Sequence, residues 1–391
     1  MQQAYIVDAI RTPIGKRGGV LAGWHPVDLS ATILRTLVDR VDLDPGAIGD
    51  VVMGCTMTVG EQAMNIGRNA ALAAGFPQSV PGTTIDRQCG SAQQAIHFAA
   101  QAVISGSMDL AIGAGVESMT RIPIGSSTSP GPGEPYGPMF QKRFDLVHQG
   151  ISAAMIASKW NISREEMDEL SCESHKRAHQ ATEAGYFKPE IAPIEAKFLE
   201  DSQVSSEQGQ LVEVDQGIRP TTNLEGLAQL RPAFEGVDDI TAGNSSQISD
   251  GAAAVLIAND DGLRRFGLTP RARIVSMHVI GDDPVMMLTA PIPATSQILT
   301  KNSLKLDEID VIEINEAFAS VVLAWKKEFN PDMGRVNIGG GAIALGHPTG
   351  CSGARIMATL LGHLERTKGR LGLQTMCEGG GLANATIIER L

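Results

Sequence analysis

Read as apolar and polar positions, the chain alternates short β-branched runs with stretches of small residues at helical spacing, and it does so twice. AYIVDAIRTPIG at 4–15 reads as a first strand. LVDRVDLDPGAIGDVVMG at 37–54 reads as a helix end, a leucine–aspartate turn, a helical stub and a second apolar strand. The same order returns in ARIVSMHVIG (272–281) and ILTKNSLKLDEIDVIEIN (298–315). The stretch 83–115 has strand, helix and strand, and 335–381 repeats it with a longer glycine-rich turn. A self-similarity at a spacing of about 270 residues is far too long for a solenoid and implies an internal duplication. It predicts an α/β fold with two duplicated halves, each a mixed sheet covered by helices.

The pattern changes between the copies. IPIGSSTSPGPGEPYGPM (122–139) is rich in Gly, Pro and Ser, where no packed element is expected. ISREEMDELSCESHKRAHQATEAG (162–185) then has the apolar spacing of an amphipathic helix. ITAGNSSQISDGAAAVLIA (240–258) returns to small residues and a buried strand. The expected organisation is a first half at 1–118 with 241–270, an inserted lid-like domain at 119–240, and a second half at 271–391.

Composition narrows the function. The 391 residues are 43% hydrophobic and only 4% aromatic, with 43 glycines, so the core rests on aliphatic side chains and close backbone contacts. A net charge of −12 argues against a nucleic-acid partner. No apolar run reaches the roughly 18 residues of a membrane span, and the N-terminus reads as a strand rather than a secretory signal. The five cysteines are odd in number, widely spaced and form no CxxC pair, which predicts neither a disulfide framework nor a metal site and suits a reducing cytoplasm. The sequon-like Asn161-Ile162-Ser163 then reads as the cap of the following helix.

Chemistry enters at the strand-to-helix turns. Cys89, in TIDRQCGSAQQAI, falls at a helix N-terminus, where free N–H groups and the dipole favour a thiolate; its bland alternative is a buried structural thiol. His347 lies in GGGAIALGHPTGCSG, whose GxxxxG spacing fails as a phosphate loop because histidine stands in the lysine position. IGAGVES (112–118) lacks the third glycine of a dinucleotide fingerprint. Cys351 follows His347, without further ligands at zinc-like spacing. Cys377 closes the strand LGLQTM before a glycine run of bare amides. Asn315 and Glu316 follow an apolar strand, and capping the next helix is their simplest role.

Together, RQCGS around Cys89, NEAFA at 315–319, GGAIALGHPTGCSGAR at 340–355 and CEGGG at 377–381 closely resemble the thiolase family over essentially the whole chain. DRQCGS, QISDGAAAVL and MCEGGG are reminiscent of bacterial degradative members, including those that break down steroid rings. The resemblance implies the thiolase fold, with layers in the order α-β-α-β-α, and CoA-dependent cleavage of a 3-oxoacyl-CoA to acetyl-CoA or propionyl-CoA and a shortened acyl-CoA. It implies Cys89 as the acyl-carrying nucleophile, His347 as its activator and Cys377 as the acid/base. Asn315 would hold a water that joins His347 in one oxyanion hole; the amides of Cys89 and Gly379 would form a second. For CoA it implies Arg219 on the adenine, with Ser246 and His148 on the pantetheine arm. It also implies acyl-CoA and CoA as partners, no tightly bound cofactor, no metal, and a homodimer or homotetramer.

Four positions depart from the commoner family pattern: Glu378 beside the acid/base, Gly339, Cys351 and Gln149. A buried Glu378 would raise the pKa of Cys377 by like-charge repulsion. Alternatives are a biosynthetic acetyl-CoA acetyltransferase, a ketoacyl-synthase-type condensing enzyme with one cysteine and two histidines or a histidine and an asparagine, and a non-catalytic CoA- or lipid-binding protein.

Overall fold

The computed structural model describes residues 2–128, 131, 133–200 and 207–391. The first half runs β1 (Tyr5–Arg11), β2 (Gly15–Lys16), α1 (Pro26–Arg40), β3 (Val51–Gly54), α2 (Ile66–Ala73), β4 (Gly82–Ile85), α3 (Ser91–Ser105) and β5 (Leu110–Ser118). The intervening segment carries α4 (Pro138–Gln141), α5 (Gln149–Lys159), α6 (Arg164–Glu183), β6 (Ile194–Glu195), β7 (Leu211–Val212), α7 (Leu224–Ala228), β8 (Pro232–Phe234) and β9 (Val237–Thr241). After β10 (Ser249–Ala258) and α8 (Asp260–Phe266) come β11 (Ala272–Gly281), α9 (Pro291–Lys301), β12 (Val311–Ile314), α10 (Ala319–Phe329), α11 (Ala342–Leu345), α12 (Ser352–Thr367), β13 (Leu371–Glu378) and β14 (Leu382–Arg390).

The strands repeat one topology. In the first half, β3 is parallel to β4 and β5, and β10 is antiparallel to β5 and β1. In the second, β12 is parallel to β13, and β14 is antiparallel to β13 and β11. A single parallel bridge from Ile312 to Val336 stands where β4 stands in the first copy. The duplication predicts two sheets; the structure joins them into one of ten strands. The join is narrow: Tyr5 and Ile6 of β1 pair with Arg273 and Ala272 of β11. Both strands lie at the edge of their own half, so each offers free backbone groups to the other.

The two halves of the sheet close over α3 and α12, which form the middle layer. Ala92, Ile96 and Ala99 of α3 share one core with Ala354, Met357 and Leu361 of α12, with Ile6 and Val255 on one side and Val311 and Ile388 on the other. Helix α3 can approach this closely because its buried face is alanine-rich. Helix α12 meets it at Gly353, where an added Cβ would lie 2.2 Å from the Gln93 amide nitrogen. The outer layers are α1 and α2 on the first half and α9 and α10 on the second, seated on Val51, Ile112 and Leu256 or on Ile312, Leu373 and Ile387. This is the α-β-α-β-α order that the family resemblance implies.

The inserted segment is tied down by charge and by packing. Arg11 of β1 is fully buried between Glu190 (2.6 Å) and Asp215 (2.6 Å). Removing Arg11 would leave two buried carboxyl groups without their cation. Helix α5 packs through Ala153 and Ile156 onto a cluster that includes Phe318 and Cys377, so the insertion roofs the end of β13. Helix α6 starts at Ser163, whose hydroxyl accepts from the Glu166 amide while Glu166 accepts from Ser163 N–H. Ser163, not Asn161, therefore provides the expected cap. In the Pro/Gly-rich stretch one short helix, α4, does form; Ser129, Pro130 and Pro132 lie outside the described residues. Among the described residues no helix is long and apolar enough to cross a membrane.

Candidate active site

Cys89 sits on a tight, locally strained turn between β4 and α3. Gln88 adopts φ +49°, unusual for a residue with a side chain, and its amide donates to Asp86 Oδ1 (2.6 Å). Ser91 braces the turn twice, accepting from the Arg87 amide (2.9 Å) and donating to Gln88 O (2.6 Å). The cysteine is thus held just ahead of the helix, half-buried, as its position in the sequence predicts.

Its protonation differs from that expectation. The helix terminus predicts a stabilised thiolate, whereas the thiol is pushed up to about 12. Burial is the largest cause, followed by the neighbouring Glu378; the amides of Gly379 and of Cys89 itself oppose them. Desolvation of a thiolate outweighs two aimed N–H groups. Cys89 therefore rests as a thiol.

Cys377 lies fully buried at the end of β13 and is pushed well above the ordinary range by burial, then by Cys89, then by Glu378. Charge on one thiol is thus felt by the other: the two cysteines, from opposite copies, face one site. Two residues beyond Cys377, the Gly379 amide points at the sulfur of Cys89, alongside the Cys89 amide. Both N–H groups therefore converge beside the Cys89 sulfur.

His347 and Asn315 meet each other. Asn315 Nδ2 lies 3.3 Å from His347 Nε2, and both side chains are buried. Asn315 follows β12 but caps nothing: α10 begins after Phe318, which makes no side-chain cap bond. Its Oδ1 has no partner among the described residues. On the other side of the ring, Ser352 Oγ donates to Pro348 O (2.9 Å) and lies 2.6 Å from His347 Nδ1. That direction assigns the ring proton to Nδ1 and leaves Nε2 as the basic nitrogen. Burial, and then Arg355, push the imidazole down to about 3, so it rests neutral.

The thiol pair and the imidazole are joined through the middle layer and through Glu117. This buried carboxylate accepts from the amides of Thr56 (2.8 Å), Met57 (3.1 Å) and Gly350 (2.9 Å). It also accepts from Gln62 Nε2 (2.6 Å) and Thr349 Oγ1 (3.1 Å). Thr56 in turn donates to Gln88 O (3.3 Å), beside the nucleophile. Glu117 therefore pins the His347 loop of one half to the Cys89 turn of the other. Glu316, directly after Asn315, accepts from Ser174 Oγ (2.7 Å), Asn337 Nδ2 (3.0 Å) and the Ile343 amide (3.2 Å), fixing the glycine-rich loop from below. Sequence reasoning missed Glu117 and Ser352. The readable signal for Glu117 was a carboxylate at the end of an otherwise apolar strand, LAIGAGVES.

Residues 4–261 match the family description "Thiolase, N-terminal domain" and residues 268–390 match "Thiolase, C-terminal domain". The chain belongs to the thiolase family. The steroid 3-ketoacyl-CoA thiolase FadA6 of Mycobacterium tuberculosis is 51% identical over 401 aligned positions, covering 100% of this chain and 95% of that one. A 3-ketoacyl-CoA thiolase of Idiomarina loihiensis is 42% identical, with both chains covered in full. The crystal structure of the Bacillus anthracis acetyl-CoA acetyltransferase superposes with a TM-score of 0.89 at 37% identity, covering 100% of this chain and 99% of that one. As a thiolase, the chain is an acyltransferase.

The remaining expected positions of this thiolase divide. Arg219 is exposed, its amide donating to His175 Nδ1 (3.1 Å). Ser246 is half-buried, its amide bonded to Ala317 O (2.9 Å). His148 is exposed, caps α5 through Nδ1 (3.2 Å to the Gly150 amide) and packs on the Phe234 ring at 4.9 Å. Gln149 begins α5 and is half-buried. Gly339 is needed where it stands, since an added Cβ would meet His363 Nε2 at 2.5 Å. Cys351 is buried in the core at the start of α12; among the described residues no group of His, Cys, Asp or Glu could hold a metal. All five cysteines are free.

Proposed function

We propose that this thiolase works in the degradative direction, cleaving a 3-oxoacyl-CoA between C2 and C3 by ping-pong covalent catalysis. The observation that supports the chemistry is the second thiol, Cys377, which feels the charge of Cys89 beside a pair of aimed amides, and the 51% identity to a 3-ketoacyl-CoA thiolase favours the degradative direction. A condensing enzyme of the ketoacyl-synthase type would have a histidine or asparagine there, and a mere binding protein would need neither group.

In this reading His347 Nε2 takes the Cys89 proton as the substrate carbonyl arrives. The sulfur adds to C3, and the developing oxyanion lies against the amides of Cys89 and Gly379. The C2–C3 bond breaks with its electron pair on C2, the resulting enolate held through its thioester oxygen by His347 and a water on Asn315. Cys377 gives its proton to C2 and releases acetyl-CoA, or propionyl-CoA from a branched substrate. The Cys377 thiolate then takes the proton of an incoming CoA thiol. That sulfur attacks the acyl carbonyl, Cys89 leaves as thiolate, and His347 returns its proton. Both thiols rest protonated, so each proton moves only when its partner is in place.

We further propose the insertion at 119–240 as a CoA-holding roof, with Arg219 on the adenine and His148 along the pantetheine arm, joined there by Ser246 from the first half. The exposed Arg219 suits a base stack. Arg219→Ala should raise KM for CoA roughly tenfold with kcat little changed, the signature of lost uniform binding. The high identity to a steroid thiolase favours a bulky polycyclic acyl group. The chain should act as a homodimer or homotetramer in a reducing cytoplasm; the free edge of β4, half-exposed, offers backbone for self-pairing.

The test is mass spectrometry of the enzyme after one turnover without CoA, followed by a panel of acetoacetyl-CoA, a long linear 3-oxoacyl-CoA and a polycyclic one compared by kcat/KM. An acyl group on Cys89 is expected, with the polycyclic substrate preferred. Acylation elsewhere, with Cys89 unmodified, would defeat the mechanism. A preference for acetoacetyl-CoA would instead favour the acetyl-CoA acetyltransferase reading.

A further inference from the structure

Glu378 stands between the acid/base and the oxyanion donor, and the mechanism above does not use it. Its side chain is fully buried, and neither carboxyl oxygen has a hydrogen-bond partner among the described residues. The carboxyl presses against the nucleophile's turn: a Cβ built on Gly90 would lie 1.9 Å from Glu378 Oε1. A side chain from one half thus fills the space against the residue that follows Cys89 in the other, and any side chain at 90 would have to displace it.

We propose that Glu378 is a positioning residue that works as the uncharged acid, wedging the end of β13 against Gly90 so that Cys377 and the Gly379 amide stay in register with Cys89. This rests on the roles proposed for Cys89 and Cys377. An ionised carboxylate in the same place would oppose both charges the reaction must create, the thiolate on Cys89 and the oxyanion at the paired amides. The surroundings favour the acid. Burial pushes Glu378 up to about 8, against the pull of Arg87 and of the Asn384 amide. Arg87 and Cys89 face it from the β4–α3 turn and Cys377 from its own strand. From β14 comes Asn384, which binds Gln94 (3.1 Å) and His97 (3.1 Å) of α3. His97 is itself pushed down to about 3 and carries no charge. Arg87 is therefore the single cation among these groups, and it does not pair with Glu378 in any ion pair of the described residues.

The experiment compares kcat against pH for the full-length wild type, E378Q and E378A, with acetoacetyl-CoA as the probe substrate. Wild-type kcat should fall above pH about 8 as the acid ionises. E378Q, which keeps the shape without the proton, should hold its rate at least ~1 pH unit further. E378A should lose kcat roughly tenfold, with little change in KM, through lost register. An alkaline limb shared by wild type and E378Q overturns the proposal, as does a fully active E378A. Should E378Q not fold, alkylation of wild-type Cys89 by iodoacetamide serves instead. A break in the pH–rate line near 8 is expected, and a line of constant slope through that range overturns the idea. Mass spectrometry separates the two failures: an acylated Cys89 without the break sinks this inference alone, and an unacylated Cys89 sinks the mechanism beneath it.

Discussion

The two halves of this thiolase are one chain trace with opposite chemistry at matching positions. Val51 of β3 pairs with Ile112 of β5, and Val311 of β12 pairs with Gly372 of β13. Counting on from those pairs, Cys55 matches Asn315 and Glu117 matches Cys377. In the first half, Glu117 is saturated by five donors, and the Cys55 thiol, driven up by burial and then by Glu117, lies at hydrogen-bond distance from it. In the second, Asn315 keeps an unpartnered oxygen, and Cys377, packed against apolar side chains, feels the charge of Cys89 and then of Glu378. A buried polar group with every valence used is scaffold; one with capacity to spare in a closed site is available for chemistry. On the proposed mechanism the duplication is divided so that one copy holds and the other reacts, while Cys89, the proposed nucleophile, stands on the holding copy.

That division is tested most severely at the matched pair of Glu117 and Cys377. Cys377→Ala should lower kcat by about 10³-fold, within the range of positioned acid–base groups, while Cys89 still becomes acylated in single-turnover mass spectrometry. Loss of Cys89 acylation as well would erase the distinction between the two thiols. Asn315→Ala should raise the barrier by about 2.7–4 kcal/mol, read as kcat with KM nearly constant, as for other oxyanion-hole donors. Glu117→Ala should instead act on stability, lowering the unfolding free energy in urea by roughly 3 kcal/mol because several buried donors lose their acceptor. A stable variant with unchanged urea midpoint would show that the clamp is not one.

Acid provides a graded test of the buried imidazoles. His347, His97 and His363 are pushed down to about 3 by burial first, each with nearby arginine charge, whereas the unfolded chain takes up protons near 6.5. Between those values the unfolded state binds more protons, so stability falls as pH falls from about 6.5 toward 3, by about 1.4 kcal/mol per unit for each histidine. Glu313 and Glu378, pushed up to about 8 by burial, hold extra protons in the fold over the same range and oppose this slope. Urea titrations at pH 7, 6 and 5 therefore compare wild type with His363→Gln; an unchanged slope would mean that this ring is charged in the fold. The smallest effect is expected at Cys55→Ala, the first-half counterpart of Asn315→Ala. It should cost about 1 kcal/mol of stability for the lost sulfur and leave kcat untouched. A slowed Cys55→Ala would mean that the holding half takes part in the chemistry.

What was legible in the sequence was whatever repeats or sits at a turn. The duplicated strand–helix–strand order and the inserted segment follow from apolar periodicity, which directly encodes which face is buried, while the layer order came from the family resemblance. Cys89, His347, Cys377 and Asn315 stand out because each adjoins a glycine-rich turn or a strand end. The thiolate expected at Cys89 was misjudged, because sequence shows the helix terminus but not the depth of burial or the carboxyl beside it. Glu117 and Ser352 were missed for a related reason: their partners, Gly350 for one and His347 for the other, are defined by how loops fold onto each other.

By itself, then, the sequence determined two copies of one α/β unit and a set of reactive side chains at their turns, since local periodicity and backbone preference are properties of neighbouring residues. Only the tertiary structure decided that β1 and β11 join the copies edge to edge and that α3 and α12 pack with their N-termini together. That packing brings a thiol from each half beside the other and sets their protonation, because burial and the charge of distant residues act through space and not along the chain.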